Sequence, residues 1–320
     1  MKLLIYNDQL KEYIPLHEYE KPLRSKFPEL EILCSDREKD VEGFIIETDI
    51  ILTLAISDNL IRIAKELKWI QTLIGGVNHI ISLPSLRNDV LITSARGIHG
   101  PQVSEMAFLL MLALARNLPE VILNQGKRVW KPWAGERLMG KKIGIIGLGA
   151  IGQEIAEKAK AFKMKVYGVS RTKKNLGFVD HWYQRRDLVE MAKEVDYLVL
   201  SVPLTSETEN MIGEEVLSAM KPTAYLINVS RGQVVDSEAL IHFIKTKRIA
   251  GAGLDAFPIE PLPRENEMWG LENVIITPHV AGNIEGYSKD VLEIFEENLR
   301  RFMAGERQDL INIVDRQRGF

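Results

Sequence analysis

Three polar residues far apart in the chain stand where chemistry on a carbonyl would need them: Arg231, Glu260 and His279. An arginine fork can grip a carboxylate and a ketone oxygen together. An imidazole has an intrinsic pKa near neutral pH and can therefore exchange a proton. A carboxylate beside that imidazole raises its pKa and fixes its tautomer. Upstream of all three lies a glycine-rich turn, Gly147-Leu-Gly149-Ala150-Ile151-Gly152. A continuous apolar run at 143–146 precedes it, and Ile151, Ile155, Ala159 and Phe162 follow at helical spacing. Gly147 permits a tight turn, Gly149 leaves room for a pyrophosphate at the backbone, and Gly152 lets helix and strand pack closely. The helix N-terminus then attracts the anionic phosphates. A dinucleotide turn followed by a guanidinium, a carboxylate and an imidazole specifies hydride transfer.

The strand after the turn, residues 166–169, ends in Ser170-Arg171-Thr172. Dinucleotide sites commonly place an acid near this point to accept from the adenosine ribose. Here there is none. An Arg beside a hydroxyl would instead pair with a 2′-phosphate, and Lys173 and Lys174 add positive charge. The expected cofactor is therefore NADP(H), with NAD(H) as the alternative. The plainer reading of Arg171 is a solvated loop charge.

These residues need a scaffold. The first hundred residues alternate strand-like runs (2–6, 31–34, 50–54, 69–73, 90–93) with amphipathic stretches, among them a helix over 57–67 capped by Ser57 or Asp58. A long helix begins after Pro101, with Val103, Met106, Ala107, Leu110 and Leu114 on one face. The stretch 126–140, with Trp130 and Trp133, reads as an irregular loop. A second alternating block carries strands at 143–146, 166–169, 197–202, 224–229, 250–254 and 274–277, the apolar runs that buried parallel strands require. The fold class is therefore α/β, with two doubly wound parallel-sheet domains: a Rossmann dinucleotide-binding domain over 100–283 and a flavodoxin-like substrate domain over 1–99 plus 284–320. The second is discontinuous because the final helix, with Tyr287, Val291, Ile294, Phe295, Leu299 and Phe302 on one stripe, is expected to return to it.

A chain of 320 residues suffices for two cores, and a net charge of −3 gives no electrostatic reason to expect nucleic acid or an anionic membrane as a partner. One cysteine, Cys34, cannot form an internal disulfide, and no metal site is expected. The apolar run 106–115 is too short to span a bilayer, polar residues arrive too early after Met1 for a secretory leader, and a cytoplasmic location is expected.

Four segments bear a closer likeness: Ser201-Val-Pro-Leu-Thr-Ser-Glu-Thr208, Ile227-Asn-Val-Ser-Arg-Gly-Gln-Val-Val-Asp236, Gly253-Leu-Asp-Ala-Phe-Pro-Ile-Glu-Pro-Leu-Pro263 and Thr277-Pro-His-Val-Ala-Gly282. Together they resemble the D-isomer-specific 2-hydroxyacid dehydrogenases, from about Trp69 to the last helix. The resemblance implies that Arg231 binds and polarises the substrate, that His279 is the acid/base, and that Glu260 orients and charges it. It places Gly147, Gly149, Ala150, Ile151, Gly152, Ser170, Arg171, Thr172, Val202, Pro203, Val229, Ser230, Arg231, Asp255, His279 and Gly282 at the cofactor, with Asp255 on the nicotinamide carboxamide. Val103 would approach the nicotinamide or merely pack. Gly75 and Gly76 would offer amides to the substrate carboxylate across a closing cleft, with hinges near 96–101 and 281–287. Asn78 stands where the family commonly has Asp.

The activity implied is NADP(H)-dependent reduction of a small 2-oxo acid of the glyoxylate or hydroxypyruvate type to the D-2-hydroxy acid. Glu260 disfavours formate oxidation, since formate dehydrogenases of this fold carry Gln there; phosphite oxidation and a dinucleotide-sensing, corepressor-like role are the alternatives. Trp130 and Trp133 could form a dimer contact or merely pack locally, and a homodimer is expected.

Overall fold

A computed structural model describes residues 1–7, 15–173 and 175–317; Lys174 lies outside them. The chain divides into two compact units, Met1–Ile98 with Asn283–Phe320, and His99–Gly282. The chain thus crosses between units at 98–99 and 282–283, one residue before the expected boundaries.

Among the described residues, the first unit holds five parallel strands, β1 (Lys2–Tyr6), β2 (Glu31–Ser35), β3 (Ile50–Thr53), β4 (Trp69–Thr72) and β5 (Leu91–Thr93), in the order β2-β1-β3-β4-β5. Strand residues alternate between two apolar layers. Leu3 and Ile5 of β1 face one cluster, while Leu4 and Tyr6 face the other. Helices α1 (His17–Lys26), α2 (Glu38–Ile45), α3 (Asp58–Ile63) and the short α4 (Asn78–Ile81) join the strands. The last helix of the chain, Tyr287–Met303, buries Val291, Phe295, Leu299 and Phe302 in the first cluster beside Trp69. A buried polar chain ties it there: Asn298 Nδ2 donates to the Ile311 carbonyl at 3.0 Å and to Gln71 Oε1 at 3.3 Å, and the Ile311 amide donates back to Asn298 Oδ1 at 2.6 Å.

The helix expected over 57–67 is shorter. Ser57 does cap it, accepting from the Leu60 amide at 3.3 Å, but it ends at Ile63. The Arg87 guanidinium supplies the reason, donating to the carbonyls of Ala64, Lys65 and Leu67. Those groups gain partners without another helical turn.

The second unit opens with α5 (Gly100–Ala115) and α6 (Leu118–Lys127); α6 occupies part of a stretch where no helix was expected. Seven parallel strands follow: β6 (Lys142–Ile146), β7 (Lys165–Val169), β8 (His181–Tyr183), β9 (Tyr197–Leu200), β10 (Tyr225–Asn228), β11 (Gly251–Leu254) and β12 (Val274–Ile276), ordered β12-β11-β10-β9-β6-β7-β8. Helices α7 (Ala150–Ala161), α8 (Leu188–Glu194), α9 (Glu214–Ala219) and α10 (Ser237–Lys245) connect them, before the final helix, α11 (Tyr287–Met303), returns to the first unit. This is a doubly wound sheet with its switch point between β6 and β9. Of the face expected on α7, Ile155 and Ala159 are fully buried, whereas Phe162 is the C-cap and 39% exposed, its ring stacked on Phe108 at 4.9 Å. Val103 is buried in the core layer of this unit.

Candidate active site

Register aligns the site. Val169 pairs with Ile146, Ile146 with Leu200, Leu200 with Asn228, Asn228 with Leu254, and Leu254 with Ile276. Six strands therefore end level, and the residues that follow them emerge along one carboxyl edge. That edge is where open α/β sheets bind ligands.

At the switch point, Gly147 has φ +96°, and a Cβ on it would lie 2.7 Å from the Ser201 carbonyl oxygen. A Cβ on Gly152 would come within 1.8 Å of the Gly147 carbonyl oxygen. Both positions thus require glycine. Gly149 differs: a Cβ there would meet nothing within 4 Å, so the N-cap of α7 faces open space. Ser201 Oγ donates to the Gly147 carbonyl at 2.8 Å and closes the turn from the β9 side. A tight turn, a bare helix N-terminus and vacant space at Gly149 fit a pyrophosphate.

Arg231 follows β10. Its backbone is held by Asn228, which donates through Nδ2 to the Arg231 carbonyl at 2.9 Å and accepts from the Ser230 amide and hydroxyl through Oδ1. The guanidinium donates to the Ser230 carbonyl at 2.7 Å. Burial lowers its pKa, and the nearby Glu260 charge partly offsets this. Gly232 then packs directly on the segment bearing Glu260, since a Cβ there would lie 1.9 Å from the Phe257 carbonyl carbon. Val229 and Ser230 are buried, and Val202 lies against Gly147.

Glu260 uses both carboxylate oxygens. Oε1 accepts from the Phe257 amide and Oε2 meets His279 Nδ1, each at 2.8 Å. Burial, the largest single influence, would raise its pKa. The hydrogen bonds from His279 and Phe257, with the charges of His279 and Arg231, outweigh it and hold the carboxyl below its usual range. The imidazole and the carboxyl are 39% and 36% exposed. With Nδ1 engaged, Nε2 is the nitrogen left to exchange a proton.

His279 itself sits at φ +52°, in the left-handed region. Asp255 organises that turn. Its carboxylate accepts from Thr277 Oγ1 at 2.6 Å and from the amides of Val280 and Ala281, each at 3.0 Å. Expected at a carboxamide, Asp255 has about one of its four acceptor positions left for it. Gly282 lies beside the His99 ring, 3.1 Å from a Cβ placed there.

The Ser170 hydroxyl donates to the Thr172 carbonyl and accepts from Trp182 Nε1, at 2.8 and 2.9 Å. Arg171 is exposed but not merely solvated, since it pairs with Glu207 at 3.0 Å. Pro203, on the β9 loop, accepts from Thr208 Oγ1 through its carbonyl. Gly75 and Gly76 belong to the first unit, in the half-buried bend between β4 and α4. Asn228 and Glu207 were not singled out from the sequence, although both fall inside the quoted segments.

Among the described residues, no group of three or more His, Cys, Asp and Glu could hold a metal ion. No single helix among them is long and apolar enough to cross a membrane; α5 and α6 pass that test only as a pair bent by 65°.

Residues 108–281 match the family model described as D-isomer specific 2-hydroxyacid dehydrogenase, NAD binding domain. A glyoxylate reductase from Pyrococcus furiosus is 37% identical over 280 residues, covering 85% of this chain and 82% of that protein. A crystal structure of a D-isomer specific 2-hydroxyacid dehydrogenase from Xanthobacter autotrophicus, in complex with NADPH and MES, is 27% identical with a TM-score of 0.86, covering 99% of each chain. An NADPH-dependent glyoxylate/hydroxypyruvate reductase from Sinorhizobium meliloti, in complex with NADP and sulfate, is 25% identical with a TM-score of 0.87, covering 100% of this chain and 99% of that one.

Proposed function

The chain belongs to the D-isomer-specific 2-hydroxyacid dehydrogenase family of NAD(P)-dependent oxidoreductases, and from that premise we propose that it reduces a small 2-oxo acid of the glyoxylate or hydroxypyruvate type to the D-2-hydroxy acid, with NADP(H) as the preferred cofactor. The observation that carries this reading is the 2.8 Å pair of His279 Nδ1 with Glu260, on loops adjoining a half-buried Arg231 at the carboxyl edge of a dinucleotide sheet.

When bound, the nicotinamide supplies a hydride to the carbonyl carbon. The Arg231 fork holds the substrate carboxylate and draws charge toward the ketone oxygen. His279 Nε2 gives its proton to that oxygen as the hydroxyl forms. Glu260 stabilises the doubly protonated ring through Nδ1. One hydride and one proton are added, which balances oxo acid to hydroxy acid. In the reverse direction His279 takes the hydroxyl proton.

Gly147, Gly149, Ala150, Ile151 and Gly152 would hold the pyrophosphate. Val202, Pro203, Val229, Ser230, Asp255 and Gly282 would line the rest of the cofactor, and Ser170, Arg171 and Thr172 the adenosine end. Gly75 and Gly76 are assigned to the substrate on the resemblance alone. NADP preference draws support from Arg171, from the missing acid at position 170, and from the NADPH and NADP bound in two structural relatives. A second copy of the chain is proposed as partner, because α6 buries none of its residues, Ile122 and Leu123 are exposed, and Trp130 is 96% exposed.

The test is a panel of glyoxylate, hydroxypyruvate, pyruvate, formate and phosphite with each cofactor, followed by His279→Ala on the best substrate. Turnover of glyoxylate or hydroxypyruvate with NADPH is expected, with kcat about 10²–10⁴-fold lower in the variant. Bound NADPH without turnover of any oxo acid would overturn the reading. Light scattering on the wild type and on Ile122→Asp tests the dimer; a monomeric wild type refutes it.

A further inference from the structure

At the end of the sheet edge away from His279, one carboxylate holds two arginines. Glu207, on the loop after β9, accepts through Oε2 from Arg171 at 3.0 Å and from Arg185 at 3.1 Å. Arg171 follows β7 and Arg185 follows β8, so the three charges come from three loops along the same edge. Their side chains are 61%, 40% and 56% exposed for Arg171, Arg185 and Glu207, so all three reach solvent and can exchange partners.

Two guanidinium groups converging on one oxygen form the arrangement that receives a phosphate monoester, here already satisfied by the chain's own acid. We propose that Glu207 is a displaceable internal counter-ion occupying the place of the adenosine 2′-phosphate, and that Arg185 is a second cation for that phosphate. This deepens the NADP(H) reading and rests on it. Within the trio the charge is +1, and a phosphate dianion beside an unmoved Glu207 would bring it to −1. Releasing Glu207 to water instead leaves two positive charges facing two negative ones. Binding NADP(H) therefore includes breaking the Glu207 pairs, whereas NAD(H), lacking the phosphate, leaves them intact. The acid thus narrows the gap between the cofactors.

Exposed ion pairs are weak, up to about fivefold each in an equilibrium constant. Glu207→Gln is therefore expected to tighten NADPH about fivefold while changing NADH less than about twofold. Arg185→Ala should weaken NADPH about three- to tenfold with little effect on NADH. The measurement is calorimetric titration of the cofactor-free protein with NADPH, NADH, 2′-AMP and 5′-AMP, which needs no turnover; 2′-AMP should follow NADPH and 5′-AMP should follow NADH. Glu207→Ala, which cannot hydrogen-bond either arginine, should match Glu207→Gln, and melting curves confirm that each variant is folded. Arg171→Ala separates the two claims. If it leaves NADPH affinity unchanged, the NADP(H) reading itself fails. If it weakens NADPH while Glu207→Gln loosens it or leaves the NADPH/NADH ratio unaltered, or while Arg185→Ala has no effect, the counter-ion proposal alone is overturned.

Discussion

Replacing Glu260 by Gln tests the proton path in a way that geometry makes quantitative. The two oxygens of Glu260 have different duties: Oε1 accepts from the Phe257 amide and Oε2 meets His279 Nδ1. A glutamine keeps only one acceptor. If its oxygen stays with Phe257, its NH₂ faces Nδ1 and favours a ring unprotonated there. If it flips, the Phe257 amide faces a donor and loses its partner, at about 1–3 kcal/mol. Either arrangement opposes the doubly protonated imidazole. Charge is lost as well. Unit charges at 2.8 Å attract by about 1.5 kcal/mol at the dielectric of water and about 6 kcal/mol at an effective dielectric near 20. Both side chains are more than a third exposed, so the low end applies, about 1.5–2 kcal/mol.

The two effects sum to about 2.5–5 kcal/mol against the imidazolium, or about 10²–10⁴-fold in kcat for reduction at neutral pH. Cofactor affinity should hardly change, and the rate should partly recover as the pH falls and protons are supplied from solution. The assay is steady-state oxo-acid reduction with saturating NADPH over a pH series. A Glu260→Gln enzyme within about threefold of wild type at neutral pH would show that the proton does not arrive through this pair.

Gly152→Ala puts a methyl 1.8 Å from the Gly147 carbonyl oxygen, so the first turn of α7 must shift; at least a tenfold loss of NADPH affinity by calorimetry is expected, with the rest of the fold retained by circular dichroism. Arg231→Lys keeps the charge but loses the fork, so KM for the oxo acid should rise by at least tenfold in steady-state assays while cofactor affinity holds. Asn298→Leu removes the side-chain partner of the amide and carbonyl of half-buried Ile311 and should destabilise the first unit by about 1–3 kcal/mol in urea titration. Asp196 is held below the usual carboxylate range: burial opposes this most strongly, but the Lys142 amide, the Lys221 ammonium and the charge of Lys141 outweigh it. A depressed folded pKa adds stability that is complete above the unfolded value near 4 and lost as pH falls through the folded one. The melting deficit of Asp196→Asn relative to wild type should therefore be full at pH 7 and shrink below about pH 4.

Local pattern explains which features the sequence disclosed. The strand that ends at Ile146 is apolar on both faces, and glycine follows where a side chain would strike backbone, so the dinucleotide turn is written in one dimension. The α/β class, the strands other than β8 and the return of α11 follow from periodicity in the same way. Features set by a distant partner were not visible. The end of α3 depends on Arg87, more than twenty residues on. Strand β8, His181-Trp182-Tyr183, lacks the aliphatic run that marks the equally short β5 and β12. Helix α6 buries no residue, and so shows no face divided between core and water. Glu207 read as one acid in a motif because its significance lies in two arginines that follow other strands.

The same distinction orders the site itself. A histidine in the left-handed region carries a conformational cost of roughly 1–2 kcal/mol, though histidine tolerates it better than most residues. What holds it there is a buried carboxylate: Asp255 accepts from Thr277, Val280 and Ala281, three donors flanking His279 in sequence. Asp255 follows β11 and Thr277 follows β12, and these strands end in register, so the sheet sets the distance over which this network must reach. Glu260 then needs to fix only the rotation of a ring whose backbone is already placed. Two acids within six residues thus divide the work: the buried one determines where the imidazole stands, and the exposed one which ring nitrogen is left to exchange a proton. The trio read from the sequence names the groups proposed to act on the substrate. Their precision resides in Asn228, Gly232 and Asp255, whose contacts are with the loops that carry it.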